Sequence, residues 1–104
     1  MKAVEKKIIA QAIKDQGAEE LMRNAQEISA ELIQAISRYH RAQMNAEIGE
    51  SEKDLSGNAE KVLVGKIAAA SVALDILRSI VPGEHDQARA AHLAKMAGQL
   101  TGPR

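Results

Sequence analysis

Residues 21–46 read LMRNAQEISAELIQAISRYHRAQMNA, and within them Leu21, Ala25, Ile28, Leu32, Ala35, Tyr39, Ala42 and Ala46 recur in alternating steps of four and three. Side chains three and four apart share one face of an α-helix. These eight therefore form a seam about four heptads long, of the kind that packs against a second helix with a left-handed twist. Met22, Ile33 and Ile36 widen the apolar sector beyond a two-stranded seam, so the helix is expected to touch more than one neighbour. Glu19, Glu20, Glu27 and Glu31 fall mostly on the solvent face. The pattern predicts a helix over residues 18–48, on the order of 45 Å long.

The flanking sequence repeats the theme more weakly. In residues 2–16, Val4, Ile8, Ile9, Ala12 and Ile13 make a helical stripe, while Lys6, Gln11, Lys14 and Asp15 face away. Gly17 follows, where a left-handed residue commonly closes a helix. An interior Gly costs only about 1 kcal/mol relative to Ala, so the sequence leaves open whether the first helix stops there or runs on.

Residues 49–57, GESEKDLSG, are short, polar and bounded by glycines, which predicts a loop. Ser56 or Asn58 is the expected N-cap of the next helix, with Ser51 and Asp54 as a weaker capping box. That third helix is expected over residues 58–81. One stripe holds Leu63, Ile67, Ala70, Leu74, Leu77 and Val81; a second holds Val62, Ala69, Val72, Ile76 and Ile80. A helix apolar over most of its circumference belongs at the centre of an assembly. Pro82 and Gly83 end it, and a fourth helix is expected over residues 84–97, with Gly98 as its stop and residues 102–104 as a tail. No strand-like alternation and no internal repeat interrupts this order. The expectation is an all-α, single-domain chain over residues 1–104: a small antiparallel helical bundle built on a long helical hairpin.

Composition adds a reason to expect more than one copy. The 104 residues contain no Phe and no Trp, and Tyr39 is the sole aromatic. Aromatics contribute the largest burial per residue, so a core of Ile, Leu, Val, Met and Ala is thin. Association between chains remedies a thin core, and a homo-oligomer, a dimer first of all, is expected to complete the bundle. Fourteen basic and fourteen acidic residues cancel, which gives no electrostatic footprint for nucleic acid or anionic membrane. The chain has no cysteine, so disulfides, thiol nucleophiles and thiolate metal sites are excluded; a reducing cytoplasm is the default compartment. Charge interrupts the N-terminal apolar residues, unlike a signal peptide. The most apolar window, residues 62–81, contains Lys66, Asp75 and Arg78, which argues against a membrane span.

Lys66 is the first candidate contact residue, because it falls between the two apolar stripes of the third helix. A cation there either reaches water, pairs with an acid such as Glu47 or Glu50 across the hairpin, or meets an anion on a partner. The second candidate is the run Ser37, Arg38, Tyr39, His40, Arg41. It sets guanidinium donors beside the only aromatic, a combination enriched where proteins bind partners. His85 and His92 lie two helical turns apart, about 10 Å, too far to share one metal. Ala91, His92, Leu93, Ala94 and Lys95 resemble the phosphoacceptor segment of histidine phosphotransfer domains, small helical bundles in which a Lys follows the His by three. The likeness spans those residues only. Met96 stands where that family usually has Gly, and the family's further helices do not follow. A surface His on an Ala-rich helix is the reading adopted.

No paired carboxylates, Ser–His–acid arrangement or phosphate loop appears. The sequence thus leads to an expectation of a non-enzymatic helical protein, without cofactor or metal, that self-associates and binds a partner macromolecule. The alternative is an oligomer that binds a small anionic ligand between protomers through Lys66, Arg38, Tyr39, His40 and Arg41.

Overall fold

The computed structural model describes residues 2–47 and 53–101, and all of its regular structure is helical: α1 (Ala3–Gln16), α2 (Ala18–Glu47), α3 (Lys53–Ile80) and α4 (His85–Thr101). Two boundaries differ from the sequence expectation. α3 starts at Lys53, so Ser56, Gly57 and Asn58 lie inside the helix, where Ser56 and Asn58 cannot cap it. Once a helix is nucleated, each further residue adds a hydrogen bond, which offsets the modest penalty of a single Gly. The same argument covers Gly98, which α4 passes through on its way to Thr101. Ser51 and the tail at 102–104 lie outside the described residues.

Gly17 does break the first helix from the second. Its φ of +88° is a backbone conformation that side-chain-bearing residues rarely adopt. There its N–H still donates to the carbonyl of Ile13 at 3.0 Å, while its own carbonyl accepts the amide of Leu21 at 3.2 Å. One residue thus closes α1 and starts α2. The Asn24 amide, 3.5 Å from the Gln16 side-chain oxygen, bridges the bend. α1 packs lightly on both α2 and α3, and its contribution to the core is Ile9.

The body of the fold is the α2–α3 hairpin. Glu31 meets Lys66, while the stretch around Ala25 shares a groove with Leu77, so the helices run antiparallel. On α2 the seam has the predicted phase. Leu21, Ala25 and Ala35 are buried, and Ile28, Leu32, Tyr39 and Ala42 are half-buried. On α3 the phase differs. The side facing α2 runs through Lys66, Ala70, Ala73 and Leu77: Ala70 and Leu77 belong to the first expected stripe, while Lys66 and the buried Ala73 lie between the two. Leu74, expected at the centre of the core, is 54% exposed, and Ile67 is exposed as well. Small residues are a physical reason for a rotation of this kind: a helix face lined by Ala lets two axes come closer than one lined by Ile or Leu. The larger side chains are then left at the edges.

No described side chain is wholly buried. The radius of gyration is 17.8 Å, against about 13 Å for a compact domain of this length. Accessible surface is 8379 Å², whereas a compact monomer of 11.2 kDa would expose about 5,700 Å². Every side chain from Asp86 to Leu100 on α4 is exposed. Among the described residues no helix is long and apolar enough to cross a membrane.

Candidate functional site

Exposed large apolar side chains occur on all four helices, and seven of them share one side of the hairpin. On α2, Met22, Ile33, Ile36 and Met44 are exposed; Met22 and Ile36 lie about a quarter turn beyond the buried seam, and Ile33 and Met44 further round in the same direction, toward half a turn. On α3, Val64, Ile67 and Leu74 are exposed and likewise lie up to about half a turn beyond the line that faces α2. Both helices are right-handed and they run antiparallel, so the same advance from the seam turns both rows to the same side. The groove lined by Met22, Ala25, Gln26, Ser29, Ala30, Ile33 and Leu77 joins the rows at one end; it is open, with a volume of about 480 Å³.

This face is apolar in a strict sense. Between Met22 and Met44 the corresponding sector of α2 carries no Asp, Glu, Lys or Arg, and His40 is its only ionisable side chain. Between Val64 and Leu74 the α3 sector carries no charge either. Ser29 turns its hydroxyl inward, donating to the carbonyl of Ala25 at 2.8 Å, which leaves little polarity on the groove floor. Charge returns at both ends of the α3 row, at Glu60 one turn before Val64 and at Arg78, which lies 3.9 Å from Asp75.

The opposite edge is polar. Lys66 Nζ reaches Glu31 Oε2 at 2.5 Å, with the two side chains 36% and 51% exposed. The acid that meets Lys66 is Glu31; the side chains of Glu47 and Glu50, the partners expected from the sequence, lie outside what the structure describes. Glu31 was expected on the solvent face; it lies at that face's border, within reach of α3. Arg38 follows Glu31 by seven residues, so it shares this edge about 10 Å further along. Arg41 is exposed on the back of α2, Tyr39 is half-buried in the seam, and His40 is exposed toward the apolar face. The five candidate residues within one protomer thus fall on three different sides of the hairpin.

The remaining histidines are placed singly. His85 is half-buried, and its Nε2–H donates to the carbonyl of Val81 at 2.6 Å, closing the turn after α3. His92 is exposed in the middle of α4. Among the described residues no group of three or more His, Asp or Glu is arranged to hold a metal ion. No known protein family matches the chain, and no curated protein or solved structure matches it.

The open face escaped the sequence reading in part. Met22, Ile33 and Ile36 stood out as a widened sector, but Ile67 and Leu74 were read as core. The signal that would have found it is the strip of Ala69, Ala70 and Ala73, which lies on the buried and half-buried side of α3.

Proposed function

We propose that this chain is a non-enzymatic helical interaction protein, which self-associates and in the associated state binds a partner macromolecule. The observation that carries the reading is the charge-free apolar face formed by Met22, Ile33, Ile36 and Met44 on α2 with Val64, Ile67 and Leu74 on α3. Contiguous exposed apolar patches on soluble monomers rarely exceed a few hundred Å², and larger ones mark interaction sites. The surplus of about 2,700 Å² over a compact monomer of the same mass is spread over the chain, α4 included, and this face is one part of it. Arg38 and Arg41, exposed and away from that face, are the contacts we assign to an acidic surface of the partner. The small-anion reading has less support, because Lys66 is already neutralised by Glu31 and stands about 10 Å along the edge from Arg38.

Native mass spectrometry of the full chain is the test. It reports the number of chains and any retained small molecule together. Two or more chains without a ligand is the expected result; a single chain carrying a small anion would replace this reading with the other.

A further inference from the structure

The proposal above leaves open what covers the apolar face. We infer that its occupant is the same face of a second copy, so that α2 and α3 of two chains form a two-fold symmetric four-helix bundle. This rests on the self-association reading and goes further, because it names the surface and its symmetry.

Three observations carry it. The first is area. The charge-free row is about 33 Å long on α2, from Met22 to Met44, and about 15 Å long on α3, from Val64 to Leu74, at 1.5 Å per residue and about 10 Å across each helix. Its flat projection is on the order of 500 Å², so two copies together cover about 1,000 Å², the size at which a specific interface begins.

The second is charge. The sector is free of Asp, Glu, Lys and Arg from Met22 to Met44 on α2 and from Val64 to Leu74 on α3, with Glu60 and Arg78 at the ends of the α3 row. A partner of opposite charge would find nothing to pair with, whereas an identical neutral face is matched without any buried ion. Interfaces between identical subunits are also the more apolar class.

The third is relief. The face carries side chains of unequal size: Ile33 stands beyond a groove floor of Ala25, Ser29 and Ala30. In an isologous contact each residue of one copy meets its counterpart's surroundings on the other. Ile33 and Met22 of one chain are then the knobs for the Ala-lined groove of its partner, which is how helices interlock. The opposite edge, with Glu31, Lys66 and Arg38, stays on the outside of the bundle.

The experiment places one glutamate at a time on exposed positions of the full chain and reads the mass by light scattering at tens of micromolar, with helix content from circular dichroism. Ile33→Glu and Ile67→Glu lie on the inferred interface; Val72→Glu lies on the opposite flank of α3, at similar exposure. The expected result is a dimeric parent, a dimeric V72E, and helical monomers for I33E and I67E, with at least a tenfold weaker association constant. Ile33 is 65% exposed in the protomer, so the glutamate there burdens association and not folding. Should I33E lose its helix, I67E supplies the same reading from the other helix. Dimers in I33E and I67E, or loss of the dimer in V72E, overturn this face while self-association stands. A parent that is monomeric removes the self-association reading itself.

Discussion

The Glu31 carboxylate and the Lys66 ammonium meet at 2.5 Å across the α2–α3 seam, on the edge of the hairpin away from the apolar face. Because both side chains keep contact with water, solvent weakens the pair, and its value lies in register more than in energy. A double-mutant cycle of Lys66→Met and Glu31→Gln, followed by urea unfolding, should give a coupling of about 0.2–1 kcal/mol. The coupling should shrink as salt is raised from 0.1 to 1 M. A coupling indistinguishable from zero at low salt would remove the pair from the forces that hold the hairpin.

Gly17 makes the second prediction. At φ +88° the strain on an added Cβ comes from the backbone, since no neighbouring atom lies within 4 Å of where it would stand. Gly17→Ala should lower stability by about 1–3 kcal/mol, the cost of holding an L-residue at a positive φ with extended ψ, a region essentially confined to Gly. Thermal unfolding at fixed protein concentration reads it. An unchanged or higher melting temperature would mean that α1 and α2 join into one helix without penalty.

Leu32 and Leu74 should part company. Leu32→Asp puts a carboxylate into the hairpin seam, where an unpaired charge costs several kcal/mol and is comparable to the stability of a whole domain. That variant should lose its helical circular dichroism. Leu74→Asp alters a side chain that is 54% exposed in the protomer, so its helix content should persist while association weakens. Gln34→Asp, on the solvent side, should change neither. Equal damage from Leu32→Asp and Leu74→Asp would place the seam of α3 where the sequence first put it.

Ala35 is the most tightly enclosed of the buried residues, at 3% exposure. Ala35→Leu should wedge the two helices apart, at a cost of about 1–3 kcal/mol from overpacking. The same replacement at Ala30, on the open groove, should be far milder in the protomer. Chemical denaturation of both variants checks the contrast.

Much of the fold was legible in the sequence. The four–three spacing from Leu21 to Ala42 gave both the length and the phase of α2, because one face is consistently larger and more apolar than the rest. α3 was legible as a helix but not in phase. With Ile67 and Leu74 on one side and Val72 and Ile76 on the other, apolar residues surround it, and hydropathy alone cannot select a contact line. Ala70 and Ala73 lie on the contact line, and small residues there let two helices approach closely. The start of α3 was hidden by Ser56, Gly57 and Asn58, residues whose local preference for a cap or turn yields to helix propagation. Of the candidate residues, Lys66 was rightly singled out as a cation within an apolar sector. Its partner depends on the rotation of α3, which no spacing rule supplied.

The central claim is that the surface left open by one chain is covered by a second. Sedimentation equilibrium of the unmodified chain, across a concentration series through tens of micromolar, tests it most directly. The account predicts a mass of twice 11.2 kDa that falls toward the single-chain value only on dilution. A mass of 11.2 kDa throughout the series would contradict it.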